Sequence, residues 1–319
     1  MKFPLSEFGH NISSRSGILE LMDDLGQAMT SRPDMIMMGG GNPAHIPEVQ
    51  KILRDRIGEM LSEDGGSAID RMLANYDPPQ GNPDFLKGLA DCLNAETGWN
   101  LTSKNIAITT GGQTAFFFLF NMLAGRHADG EMRKIVLPLA PEYIGYANQG
   151  IAGNMFRTHR PLIEQDEGKP TFKYHVDFDH LSLDDDHAAA VCVSRPTNPS
   201  GNVLTDSEIA KLAAMAEKRS VPLIIDNAYG NPFPGAIFCD ATPVWNENII
   251  LTLSLSKLGL PGTRTGIVIA REEIIERVAS VTAVTGLANS NIGQAIVRPL
   301  VESREITRIS REIIRPFYQ

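Results

Sequence analysis

Leu253-Ser254-Leu255-Ser256-Lys257-Leu258-Gly259-Leu260-Pro261-Gly262-Thr263-Arg264 is the stretch from which the rest of the chain can be read outward. An apolar, strand-like run, Asn248–Leu253, delivers Ser254, Ser256 and Lys257 into a loop broken by Gly259, Pro261 and Gly262. A lysine framed by hydroxyls just past a buried strand is poorly placed for a surface charge. It is well placed to form an imine with an aldehyde cofactor whose phosphate the hydroxyls and Arg264 would hold. Pyridoxal phosphate chemistry requires that lysine and, separately, a charge partner for the pyridine nitrogen. Within this stretch alone an ordinary strand-end lysine accounts for the residues equally well, because a short motif only raises a hypothesis.

The next strand-like run, Gly266–Ala270, follows after about a dozen residues without a helical pattern. A parallel return needs a crossover, usually a helix, so this pair is expected to be antiparallel. Upstream the grammar is parallel. Ile106–Thr109, Lys134–Leu139, Ala188–Ser194 and Val221–Ile225 read as strands, and helices are expected over Ala115–Ala124 and from a Thr205 cap to about Arg219. Asp206 and Glu208 in the first turn of that second helix suit its dipole. Apolar spacing predicts further helices over Ile18–Met29, Val49–Leu61, Pro83 to about Thr97, Glu272–Val281 and Ile292–Ile314. Residues 157–187 read as a peripheral connection whose acidic run, Asp184–Asp186, is solvated. The fold class is α/β, with a mostly parallel sheet and one antiparallel strand.

Composition narrows the class. The chain has 319 residues, 42% of them hydrophobic and 21% charged, enough for a substantial core in one large or two medium domains. A formal charge of −9 argues against non-specific binding to nucleic acid or anionic membrane. Cys92, Cys192 and Cys239 form no CxxC pair, which suits a reducing cytoplasm, and no apolar run approaches a membrane span. A cytoplasmic protein is expected, with no metal site. Gly39-Gly40-Gly41 allows close approach of backbone to a ligand, but it is not a dinucleotide fingerprint.

Candidate chemical residues fall repeatedly just after strands: Gly112 and Gln113, Tyr143, Asn198, Asp226 with Tyr229, and Lys257. In open α/β sheets the ligand crevice lies outside the carboxyl ends of the strands. The strand-then-glycine turn at Gly111-Gly112-Gln113-Thr114 offers a helix N-terminus to a phosphate, although a plain βα turn looks similar. Asp226 ends an apolar run and is costly to bury ionised unless paired. A protonated pyridine nitrogen is such a partner; a helix cap or a structural salt bridge is another. Tyr229 and Asn198 could donate to a phenolate oxygen, and Tyr143 is either a core ring or one stacked on the cofactor.

With those residues in view, the chain resembles the fold-type-I pyridoxal-phosphate aminotransferases of the aspartate-aminotransferase-like superfamily. The matching elements are Asn198-Pro199-Ser200-Gly201, Asp226 with Tyr229, and Ser254-x-Ser256-Lys257 followed by Arg264. Within that group it is similar to the valine–pyruvate aminotransferase family. Gly39-Gly40-Gly41-Asn42-Pro43-Ala44, Ala140-Pro141-Glu142-Tyr143-Ile144-Gly145-Tyr146, Lys173-Tyr174-His175-Val176-Asp177-Phe178 and Ser254–Gly262 carry that likeness. The resemblance implies Lys257 as cofactor lysine and proton shuttle, Asp226 on the pyridine nitrogen, Asn198 and Tyr229 near the phenolate oxygen, and Tyr143 against the ring. It implies Gly112, Gln113, Ser254, Ser256 and Arg264 around the phosphate, Tyr76 reaching the site of a neighbouring subunit in a homodimer, and Gly40 or Gly41 near the substrate carboxylate.

The implied activity is amino-group transfer between valine, or similar small aliphatic amino acids, and pyruvate, a step of amino-acid biosynthesis. A carbon–sulfur lyase or decarboxylase would keep the same cofactor residues. A non-catalytic effector-binding module is a third reading, which the lack of a basic helix-turn-helix segment before residue 39 counts against. Two departures stand out. Arg264 follows Lys257 by seven residues, one fewer than in most relatives. The family also continues past the position of Gln319 with most of its small domain and an arginine for the substrate carboxylate. The expected organisation is therefore residues 1–48 as the N-terminal part of a small domain, 49–290 as the cofactor domain, and 291–319 as an interdomain helix that lacks cover. On that view the cofactor site is complete and the substrate site is not.

Overall fold

The computed structural model describes residues 3–14, 16–31, 36 and 42–319. Ten strands are present among them: β1 (Ile106–Thr110), β2 (Gly125–Arg126), β3 (Met132–Leu137), β4 (Phe156–Thr158), β5 (Leu162–Gln165), β6 (Phe172–His175), β7 (Ala188–Ser194), β8 (Leu223–Asp226), β9 (Ile249–Ser254) and β10 (Thr265–Ile269). The main sheet runs β1-β10-β9-β8-β7-β3-β2, with β4 also on β3. Strands β3, β7, β8 and β9 are mutually parallel. Strand β10 is antiparallel to both its neighbours, as expected from a β9–β10 link that holds only two short turns, Leu255–Leu258 and Pro261–Thr263. The two-residue β2 is antiparallel to β3 at the far edge.

Alternating side chains build two cores, one on each face of the sheet. Val191, Val193, Leu223, Ile225, Leu251, Leu253, Ile267 and Ile269 face one way. Helices Pro47–Ser62, Pro83–Thr97, Asp206–Lys218 and Ile292–Glu302 contribute to that layer. Ala190, Cys192, Ile224, Ile250 and Val268 face the other way, with helices Gly112–Leu123 and Glu272–Gly286. Cover on both faces explains why β7 to β10 read as near-continuous apolar runs.

The helix start signals hold. Thr205 caps Asp206–Lys218 in a reciprocal box with Glu208, whose Oε2 accepts the Thr205 N–H at 2.8 Å. Oε1 of Glu208 accepts from Val176 N–H and lies 3.1 Å from His175 Nδ1, so one buried carboxylate ties this helix to the end of β6. Burial pushes the Glu208 carboxyl up, and the bonds from Thr205, Val176 and His175 outweigh it and hold it low.

Four expectations need correction. Residues 157–187 are more than a connection, for they carry β4 and the hairpin β5–β6. The acidic run is not uniformly solvated: Asp186 is buried, accepts from Arg157 Nε at 3.0 Å and meets His159 Nε2 at 2.5 Å. The segment expected as one helix from Ile292 to Ile314 breaks after Glu302, where Arg304 takes a left-handed φ of 61°. It resumes as Glu305–Ile309 and then a π turn, Ser310–Ile314, in which the Ser310 hydroxyl donates to the Pro234 carbonyl at 2.6 Å. Nor do its apolar residues lack cover. Ile296, Leu300, Ile306, Ile309, Ile313 and Ile314 are all buried in the first core.

Replacing Glu208 by Ala strands the Thr205 and Val176 N–H donors at once. The expected loss is about 2–4 kcal/mol of stability in denaturant unfolding. The carboxyl is held low, so its contribution is present above the unfolded carboxylate range and is lost as pH falls through the folded value; the gap between wild type and variant should narrow in acid.

Candidate active site

Ser194, Asp226 and Ser254 end the parallel neighbours β7, β8 and β9. In register, Ser194 lies beside Asp226, and Asp226 beside Thr252. The acid thus sits between two strand ends on the rim where α/β sheets bind ligands. Its Oδ2 accepts the Tyr146 hydroxyl at 2.6 Å and its Oδ1 the Ala228 N–H at 3.0 Å. Burial pushes its carboxyl up, while those two bonds and the Lys257 charge pull against it. A desolvated acid aimed at the rim favours a cationic ligand atom.

Lys257 lies on the turn Leu255–Leu258, half-buried, with Nζ 5.0 Å from the centre of the Tyr229 ring. Lysine, acid and tyrosine therefore meet at one place. Asn198, in the loop after β7, lines a cleft with Tyr229, Thr197 and Val203. Arg195 secures that loop. Its buried guanidinium donates to the Leu204 carbonyl at 2.8 Å, the Thr242 carbonyl at 2.9 Å and Asp206 Oδ1 at 2.5 Å.

Tyr143 packs edge-on to Tyr146, ring centres 5.4 Å apart. Burial pushes its phenol up, with Asp226 and Tyr229 adding to the effect and Arg264 opposing it. Gly145 lets the Tyr143 ring fold back, since a β-carbon there would overlap it. Gln113 Nε2 donates to the Gly145 carbonyl at 3.0 Å.

The opposite end of the cluster suits a phosphate. Gly111, at φ 83°, precedes the helix Gly112–Leu123, whose first N–H groups have no helical partner. Arg264, just past the lysine turn, takes a left-handed φ of 50°. Its guanidinium lies over Gly111, where a β-carbon would overlap it, and Nη1 is 3.5 Å from Ser256 Oγ. Ser254 Oγ accepts the Ser256 N–H at 3.2 Å, which shapes the lysine turn. Gly266 on β10 completes the seat. A β-carbon there would stand 2.5 Å from the Gly111 carbonyl carbon and 2.7 Å from the Gly112 nitrogen.

These features suit pyridoxal phosphate: a lysine within reach of a desolvated acid, and an arginine and a helix N-terminus meeting over a glycine cradle. Tyr76, Gly40 and Gly41 are also expected at the site. Tyr76 is 81% exposed. Gly40 and Gly41 lie outside the described residues. Reading the sequence also missed three contributors. Tyr146 was quoted only as part of a motif, although a second aromatic three residues after Tyr143 marks it. Arg195 and Gly266 gave no local signal, because their roles depend on strands brought together by the fold.

The mixed sheet, with its rim of acid, lysine and glycine cradle, defines a fold-type-I pyridoxal-phosphate enzyme. The chain belongs to the class I and II aminotransferase family, whose model matches residues 34–312. It is 49% identical over 314 residues to the valine–pyruvate aminotransferase of Escherichia coli strain K12, a match that covers 98% of this chain and 74% of that relative. Two solved structures are similar throughout. One is a putative amino-acid aminotransferase from Psychrobacter arcticum 273-4, with TM-score 0.94 and 45% identity over 100% of this chain and 76% of that one. The other is the valine–pyruvate aminotransferase of Salmonella typhimurium LT2, with TM-score 0.82 and 46% identity over 95% and 73%. Among the described residues no helix is long and apolar enough to cross a membrane.

Gly266→Ala tests the cradle. The added methyl must displace the Gly111–Gly112 turn, and pyridoxal phosphate should dissociate at least about tenfold more readily in equilibrium titration, a loss of about 1.4 kcal/mol. Unchanged affinity would place the phosphate elsewhere.

Proposed function

We propose that this protein is an aminotransferase moving the amino group of valine and similar small aliphatic amino acids to pyruvate, with alanine and 2-oxoisovalerate as products. The observation that carries the reading is the meeting of Lys257, Asp226 and Tyr229 at the sheet rim, in a chain about half identical to a valine–pyruvate aminotransferase along nearly all its length. Bound pyridoxal phosphate supplies an electron sink for the carbanion left when the substrate α-proton departs.

The chain's residues do the rest. Lys257 Nζ would anchor the cofactor and, when free, would serve as the base that takes the substrate α-proton and the acid that returns it two atoms along, the 1,3 shift a transamination needs. Asp226 keeps the pyridine nitrogen protonated, and Tyr146 and Ala228 fix the carboxylate that does so. Tyr229 and Asn198 donate toward the phenolate oxygen, and Tyr143 covers one face of the ring and excludes water. Gly112, Gln113, Ser254, Ser256 and Arg264 hold the phosphate end, Arg264 by charge and the helix start by its free N–H groups. Gly40 or Gly41 would let the substrate carboxylate approach the backbone. Tyr76, exposed here, completes the site of a neighbouring subunit, so the working form is a cytoplasmic homodimer with shared sites. On the same reading, residues 1–48 begin a small domain, 49–290 form the cofactor domain, and 291–319 lead between the two.

A panel of amino donors with pyruvate, followed by alanine formation, tests the assignment. Valine should be a good donor and aspartate a poor one. Aliphatic donors should differ from one another by about 10- to 200-fold at most, because one methylene in an apolar pocket contributes only about 1–3 kcal/mol. Initial rates should show the parallel-line pattern of a two-stage exchange. Faster turnover with aspartate than with valine would overturn the substrate assignment.

A further inference from the structure

Glu142 has no part in the chemistry described above, yet its carboxylate accepts three hydrogen bonds. It lies between the end of β3 and Tyr143. Its Oε1 accepts the Ser194 N–H at 2.9 Å, and its Oε2 accepts the Ser194 hydroxyl in a short bond and the Tyr143 N–H at 3.3 Å. Ser194 is the residue that lies beside Asp226 in the register of β7 and β8. Four residues after Glu142, Tyr146 reaches the same Asp226 from the same loop. Residues 142–146 therefore grip the sheet rim twice, once on the last residue of β7 and once on the last residue of β8.

We propose that Glu142 is a positioning residue of the cofactor site: its grip on Ser194 seats the loop so that Tyr146 orients Asp226, and its own charge tunes the field in which Asp226 holds a cationic ring. The inference rests on the reading of Asp226 as the partner of the pyridine nitrogen.

The groups facing Glu142 make the second half of that statement specific. Asp226 faces it from β8 and Cys192 from β7, while Tyr146 and Tyr143 lie on its own loop. None of these is cationic. Burial pushes the Glu142 carboxyl up to about 7, with Asp226 adding to the effect and the Ser194 and Tyr143 bonds resisting it. Glu142 thus changes charge near neutrality. Below that range it is a neutral hydrogen-bonding group. Above it, a second negative charge stands near Asp226, and a protonated ring nitrogen is held more strongly.

The test compares pyridoxal phosphate binding to the full chain, wild type against Glu142→Gln, on the two sides of neutrality. Gln keeps the volume and imitates the protonated acid. At pH 6 the two dissociation constants should agree within about twofold, and at pH 8 wild type should bind at least about fivefold more tightly. An equal ratio at both pH values would overturn the charge role, because a purely structural residue gives a constant ratio. A cofactor-free readout runs alongside: the infrared carboxyl band of the apoprotein should contain a component that titrates near neutrality and is missing in Glu142→Gln. No such component would equally overturn it.

Positioning is tested by combining Glu142→Ala with Tyr146→Phe. If Glu142 acts through Tyr146, the double variant should lose little more affinity than the worse single one; fully additive losses would contradict this. Should Glu142→Ala not fold, Ser194→Ala, which removes one of the three donors, takes its place in the cycle. Asp226→Asn separates the failures. If it leaves affinity unchanged, the reading of Asp226 is wrong. If it weakens binding while Glu142→Gln shows no pH-dependent ratio, only the inference about Glu142 falls.

Discussion

A carboxylate at the end of a buried parallel strand must be satisfied, and most of the rim is arranged to satisfy Asp226. The strand that carries it is apolar because both faces of the sheet are covered, and that cover removes the water which would otherwise solvate the acid. Two donors compensate in part, the Tyr146 hydroxyl and the Ala228 N–H. Their cost to the chain is positional. Tyr146 has to arrive from the loop after β3, and that loop has to be fixed at its start, where Glu142 meets Ser194. What the donors leave uncompensated is an acid poised for a cation, which is the property that a pyridine-nitrogen partner needs.

The antiparallel strand supplies the other end of the site. Because β9 returns directly through β10, the lysine turn and Arg264 occupy the short link where a crossover helix would otherwise lie. Strand β10 is then inserted between β9 and β1, which brings Gly266 against the glycine turn that opens the helix Gly112–Leu123. Lysine, arginine and helix N-terminus converge although they come from segments about 150 residues apart in the chain. Arg264 holds a left-handed backbone, a conformation that costs about 1 kcal/mol for a non-glycine residue.

Much of this was legible in the sequence because strand ends announce themselves. Apolar runs such as Ala188–Ser194 stop at polar residues, and the absence of a helical pattern between Leu253 and Gly266 was enough to orient β10. Local chemistry also fixed the Thr205 cap and the first helical turn at Pro83. Interactions that depend on pairing were not legible. Nothing in the order of residues shows that Asp186 meets Arg157 and His159, that Arg195 is buried against three acceptors, or that Gly266 must lack a side chain. The break at Arg304 was missed for a related reason: apolar spacing continues through it, and helical period alone does not register one residue in a left-handed conformation.

The account depends most directly on which lysine receives the cofactor's aldehyde. Reduction of the holoprotein with borohydride makes that bond permanent, and proteolysis with mass spectrometry then locates it. The account predicts a single modified peptide carrying the label on Lys257. A label on Lys169, Lys173 or any other lysine would contradict it, and with it the assignment of the rim formed by Asp226, Tyr229 and Asn198 as the place where the chemistry occurs.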